Sequence, residues 1–372
     1  MERVALSPLH LRPDGVLRRD PPRPLSLRPE TYEREFDYLT VFYDSFRSAD
    51  GQFTVFLGPP LSNLEQPVLP GLVSAFEILV AGAATFRRLR LVDELWLRTD
   101  RESAVIPHGV FEETGLAVQP NLSHVFRDKK VLLTMSKDNE LVWIKDWVYF
   151  HVAHHGTNAV LIYDNASTKY AQSELERAVA SVSGIETSLV IDWPFKYGPQ
   201  GDTGQADVLA WDSNFSQWAS LEHARYRLLA SAHSVIWGDI DELVVTRNGA
   251  SLHELAAASS TGYLRYGGHW IENAAIVSGP ERRHADFVYR LESSPAQSKW
   301  TAVPKRCPMK AQWRIHKISG VAPDALRSES AALRHFKAIN TNWHLPRFRP
   351  EAPIEGKHVV DEELVNAFRV FA

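Results

Sequence analysis

The chain has 372 residues, more than one typical domain, so two domains are expected. Its net charge of -4 gives no support to nucleic acid as a partner, because proteins that track phosphates carry a basic excess. A single cysteine, Cys307, excludes an internal disulfide and a thiolate zinc cluster, and suits a reducing compartment.

Residues 1–34 are rich in Pro and Arg, with PPRP at 21–24, and predict an extended arm on the surface or partly disordered. No apolar signal-peptide core follows Met1. No run of about twenty apolar residues occurs, so no spanning helix is expected. Residues 35–128 contain short apolar runs with a period near two: YLTVFYD (38–44), FTVFLGPP (53–60), ATFRRLRLV (85–92) and DELWLRTD (93–100). They predict a β-rich, sandwich-like accessory domain. The apolar segment 69–84 reads as buried strand or loop.

A different rhythm fills 129–372. VLLTMS (131–136) predicts a buried strand, 139–156 a helix stopping at Gly156, and AVLIYD (159–164) a second strand. Residues 173–184 predict a helix, TSLVIDW (187–193) a strand, and 215–233 a long amphipathic helix. SVIWGDIDELVV (234–245) delivers a strand ending in acidic residues. Such alternation predicts an α/β fold with a mostly parallel, Rossmann-like sheet.

Ligands of open α/β sheets bind beyond the carboxyl ends of the strands. Three predicted strands end in polar groups: Lys137 to Glu140, Asp164 and Asn165, and Asp239-Ile240-Asp241-Glu242. Two carboxylates one residue apart can hold a hard divalent cation together with a diphosphate. Such a D-x-D element is also what a solvated turn looks like. Its place after a buried strand, with Glu242 added, favours the functional reading.

Three segments taken together carry a resemblance: K-D-N-E with W-I-K-D-W at 137–147, I-Y-D-N-A-S at 162–167, and W-G-D-I-D-E-L at 237–243. Their order and spacing resemble glycosyltransferases of family 92 and bacterial family 2-like relatives, over residues 130–345. Arg265 to His269, Trp313 to His316 and Leu333 to Phe336 look similar as well. The resemblance implies a GT-A fold over 129–372. It further implies metal-dependent, inverting transfer of a sugar from a nucleotide-sugar donor, a UDP-sugar first, to a glycan or glycolipid acceptor.

By position, Lys137 and Glu140 would lie at the nucleotide entrance, and Asp164 and Asn165 at the base or ribose. Asp239 and Asp241 would serve ribose, Mn²⁺ or Mg²⁺ and diphosphate. His316 or His335 would add a metal or phosphate contact, and Lys305 would stabilise the leaving diphosphate. Inversion needs a general base, for which Glu272 is preferred over His269 after the strand GYLRYGG.

The remaining candidate residues have plain readings. Trp143 and Trp147 share a helix face and suit core packing. His151, His154 and His155 lack the Glu of a zinc motif and read as charged residues at a helix end. A sugar-phosphate nucleotidyltransferase would need a glycine-rich loop after the first strand, which is missing here. A glycan-binding or scaffold protein with a degenerate transferase domain is the other alternative. The expected setting is cytoplasmic, in bacterial polysaccharide biosynthesis, with peripheral association at the inner membrane face left open.

Overall fold

The computed structural model describes residues 4–78, 82–106, 109–199, 211–275, 282–341 and 352–371. The chain forms two compact units. One comprises Met1–His124 with Pro194–Ala230, and the other Val125–Trp193 with Ser231–Ala372.

The second unit is built on an eight-stranded sheet. Its strands are β1 (Lys130–Ser136), β2 (Ala159–Asp164), β3 (Thr187–Asp192), β4 (Ser234–Trp237), β5 (Glu242–Thr246), β6 (Tyr263–Ile271), β7 (Pro295–Ala302) and β8 (Ala331–Phe336). Their order is β3-β2-β1-β4-β7-β6-β8-β5. The first four are parallel. β7 runs against both β4 and β6, β8 runs with β6, and β5 runs against β8. The fold is therefore mixed α/β.

Strands β1 and β2 are almost wholly apolar because both faces of the sheet are covered. Helix α1 (Leu141–His155) crosses from β1 to β2 and ends at Gly156. That glycine has φ 65°, the left-handed conformation a helix stop favours. Trp147, Ile162, Val190, Ile236, Leu264 and Phe336 belong to one buried core. Trp143 and Trp147 pack in it as expected.

Two readings of this unit change. Residues 234–245 form two strands rather than one, because the turn at 238–241 reverses the chain and Glu242 N–H bonds the Asp239 carbonyl at 3.0 Å. His151 and His155 are not charged helix-end residues. Both are buried, bonded to the Trp147 and Val244 carbonyls at 2.8 and 2.9 Å, and burial pushes His151 down to about 4. A neutral imidazole has no charge to offer the helix dipole.

The first unit holds an antiparallel four-stranded sheet in the order Asp44–Arg47, Phe53–Gly58, Val92–Arg98, Ala84–Leu89. Among the described residues its faces are covered by helices, and no second sheet of that size forms a sandwich with it. One cover is the helix Glu65–Ala75, whose Val68 and Leu72, four apart, enter the core with Phe56, Leu95 and Leu97. This helix replaces the strand or loop expected from residue 69, although residues 79–81 of that segment lie outside the described residues.

The expected amphipathic helix at 215–233 is instead Phe215–His223 followed by a π-helical turn, Ala224–Leu228. It is buried nearly all round and belongs to the first unit. Its charges explain the burial. Asp44 accepts from His223 at 2.9 Å, from Arg227 at 2.6 Å and from the Ser7 backbone at 2.8 Å. The Pro/Arg-rich arm is fixed in the same way. The Arg19 guanidinium donates to the carbonyls of Pro60, Asp37 and Thr40, so this part of the arm is packed rather than loose.

Among the described residues, no helix is long and apolar enough to cross a membrane.

Candidate functional site

In the second unit, β2 and β3 lie on one side of β1 and β4 on the other, which makes the β1–β4 boundary a topological switch point. The carboxyl ends of β1, β2 and β3 put Ser136, Asp164 and Asp192 side by side in register. β6 and β8 run parallel to β4, so they end on the same edge of the sheet, with Ile271 opposite Phe336. This edge therefore collects the acidic turn after β4, Glu272 after β6, and His335 near the end of β8.

The acidic turn has a defined geometry. Glu242 Oε2 accepts the Asp239 N–H at 2.9 Å, which fixes the turn from within. The same oxygen lies 3.1 Å from Lys299 Nζ, and Lys299 also donates to Asp239 Oδ2 at 2.5 Å. Lys299 is completely buried, with its ammonium 5.3 Å from the centre of the Trp237 ring. Burial opposes its charge, but the two carboxylates outweigh that and raise its pKa above the ordinary lysine value. Burial pushes Glu242 up while Lys299 pulls it down; the net direction is up.

Asp241 points the other way, to β8, where its Oδ2 lies 3.1 Å from His335 Nε2. The His335 ring stacks on half-buried Trp270 at 3.7 Å and 22°. Gly268 allows this stack. A Cβ there would stand 1.8 Å from the Leu333 carbonyl oxygen, so only glycine lets β6 and β8 approach. Burial disfavours a charged His335, yet Asp241 and Glu242 together raise its pKa.

His316 sits between the two short strands Gln312–Arg314 and Lys317–Ser319. The Trp237 and Trp300 indoles hold this hairpin by donating to the carbonyls of Ile315 and Arg314 at 2.9 and 2.7 Å. Its Nδ1 lies 3.0 Å from the Ser298 carbonyl and must donate to it, which leaves Nε2 an acceptor. Burial, then the charge of Lys299, pushes His316 down to about 4, so it is neutral at pH 7.

The other expected residues divide. Asp164 takes a hydrogen bond from Ser167 Oγ, and burial raises its pKa. Asn165 braces the strand ends by donating its amide to the Trp193 carbonyl at 2.8 Å. Lys137 donates to the Asn165 carbonyl at 3.1 Å, and Glu140, just before α1, pairs with Lys169 at 2.5 Å. Glu272 binds Lys337 through Oε2 at 2.8 Å, while its buried Oε1 has no hydrogen-bond partner among the described residues.

Two placements differ from expectation. His269 bonds Asp361 at 2.7 Å, and Asp361 is also held by Arg334, so His269 belongs to a structural ion network. Lys305 follows β7, which runs antiparallel and ends where β4 begins, with Ala302 opposite Val235. It is therefore at the far edge of the sheet from Asp239, exposed and 3.5 Å from Asp128. The lysine at the acidic turn is Lys299. It was missed because PAQSKWTA (295–302) has no clean apolar period. A lysine set between residues of a covered strand was the available signal.

Among the described residues, the cluster able to bring three metal-ligating atoms within 4.8 Å is His10, Glu112 and Glu113 of the first unit, not the acidic turn. The expected ligands Asp239, Asp241, His316 and His335 therefore form no closed set by themselves.

No family model matches the chain, and no curated protein does. A solved structure titled WbbM bifunctional glycosyltransferase, in its apo form, aligns with 41% of this chain and 25% of its own, at 15% identity and a TM-score of 0.27. The alignment thus spans about a quarter of that protein's length. At so low a score, fold and activity rest on the chain's own residues.

Proposed function

We propose that the chain is a glycosyltransferase that uses a nucleotide-sugar donor, a divalent cation and a glycan or glycolipid acceptor. The observation that carries this reading is the Asp239–Glu242 turn at the carboxyl end of β4, beside the switch point, with Asp241 3.1 Å from His335 on β8.

That separation suits a cation. Two ligand atoms about 2.1 Å from one ion and at right angles stand about 3 Å apart. Asp241 and His335 would hold Mn²⁺ or Mg²⁺, with phosphate oxygens of the donor completing the set. When bound, the cation would offset the charge that develops on the departing nucleoside diphosphate. Binding it also displaces the proton that the two carboxylates favour on His335.

The chain's own groups do the rest. Ser136, Asp164 and Asp192 line the strand ends where base and ribose would lie. Glu272, whose Oε2 is held by Lys337 at 2.8 Å, is the base that takes the proton of the acceptor hydroxyl. The hydroxyl oxygen bonds the anomeric carbon as that carbon's bond to the diphosphate breaks, which inverts the configuration. Trp270, stacked on His335, offers an apolar face for a sugar ring.

The test is release of nucleoside diphosphate from a panel of nucleotide sugars. Mn²⁺-dependent release that disappears in Asp241→Ala supports the reading. Release that is equal in the variant, or absent with every donor and acceptor tried, removes it.

A further inference from the structure

Lys299, on β7 against the acidic turn, is out of reach of any ligand. Its side chain is wholly buried, whereas Asp239 is about a third exposed. It donates to Asp239 Oδ2 at 2.5 Å and lies 3.1 Å from Glu242 Oε2, which in turn accepts the Asp239 N–H. Asp239 is thus gripped at its main chain by Glu242 and at its side chain by Lys299. No hydrogen bond to Asp239 Oδ1 is seen among the described residues, and the side chain keeps about a third of its surface exposed.

The charge count points the same way. Asp239, Asp241 and Glu242 put three carboxyl groups within four residues. An uncompensated set would attract a cation and repel a diphosphate. One fixed ammonium beside the turn lowers that repulsion, while Asp239 stays about a third exposed. A buried charge pair costs desolvation that an apolar pair would not, so stability alone does not call for this lysine.

We infer that Lys299 is a positioning residue, acting through Asp239 to set the carboxylate that meets the nucleotide diphosphate and its cation. The inference rests on the proposed glycosyltransferase reading. It concerns a residue that touches neither substrate nor metal.

The experiment uses the full chain. Lys299→Met alone strands two buried carboxylates and is open to misfolding. The decisive variant is therefore Lys299→Met with Glu242→Gln, read against Glu242→Gln alone, so that both side chains keep their length and only the lysine differs between the two. Thermal midpoint is measured together with calorimetric binding of UDP, GDP, CDP and ADP in Mn²⁺. The expected result is a midpoint close to that of Glu242→Gln with the preferred nucleotide bound roughly tenfold or more weakly than by it, the scale of losing a group that orients a metal-site ligand. A folded double variant that binds the nucleotide as Glu242→Gln does overturns the inference and leaves the glycosyltransferase reading standing. A double variant whose midpoint collapses also overturns it, because Lys299 would then be holding the fold. Wild type that binds none of the four nucleotides overturns both.

Discussion

Two clusters of buried charge, one in each unit, look alike in composition and differ in closure. In the first unit, Asp44, His223 and Arg227 have side-chain exposures of 0, 0 and 1%. Both Asp44 oxygens are taken by donors. In the second unit, Asp239, Asp241 and His335 keep exposures of 31, 15 and 13%. The first cluster is complete without a ligand. The second ends on carboxylates that face an open sheet edge at a topological switch point. Buried charge marks a working site only where part of it stays open.

Arg227→Met should sharpen this contrast most. It leaves Asp44 as a buried charge with a neutral partner, at a cost of about 3–5 kcal/mol in stability. Urea unfolding measures that loss. The fraction that remains folded should bind nucleotide as wild type does. A lost affinity with unchanged stability would reverse the roles of the two clusters.

The second unit contains its own smaller version of the comparison. Glu272 has a buried oxygen with no partner among the described residues, and His269 is tied into the Asp361–Arg334 network. Glu272→Gln should cut turnover by roughly 10²–10⁴-fold, the range for a general base, while nucleotide affinity stays. His269→Gln should cost about 1.5–3 kcal/mol in stability, the scale of a hydrogen bond to a charged group, and leave turnover near wild type. Steady-state kinetics and denaturation on both variants separate the two roles. The opposite pattern would make His269 the base.

How much of this could be read from the sequence depends on where the information lies. The runs VLLTMS and AVLIYD are continuous apolar strands, and Gly156 is a helix stop, so β1, α1 and β2 were legible. The turn at Asp239 was legible as a strand end, the place where such sheets carry ligands. What was not legible depends on partners far away in sequence. Lys305 seemed well placed until the antiparallel direction of β7 carried it to the other edge and left Lys299 at the turn. His269 looked like a base because Asp361, 92 residues on, is invisible from its own segment. The helix at 215–223 read as amphipathic and part of the α/β succession, and its burial among Asp44 and its neighbours could not be seen from its own pattern. The sandwich failed for a related reason. Period-two runs identify a sheet but do not say whether another sheet or a helix will cover it.

A separate effect concerns pH. Burial, then the charge of Glu222, pushes the Glu94 carboxyl in the first unit from 4.5 up to about 8. Between those values the folded state holds a proton that the unfolded state has released. Stability should therefore fall as pH rises from about 4.5 to about 8. Urea midpoints across that range should show a shallower decline in Glu94→Gln than in wild type. Equal slopes would mean that Glu94 is ionised in the folded chain.

The most direct measurement is calorimetric titration of UDP, GDP, CDP and ADP, with and without Mn²⁺, into wild type and Asp241→Ala. The account predicts that one nucleotide binds, that binding needs the metal, and that the variant loses roughly 100-fold or more in affinity, since even groups that only orient a metal ligand are worth 10–100-fold. Binding that ignores both Mn²⁺ and Asp241, or no binding by any of the four, would contradict it.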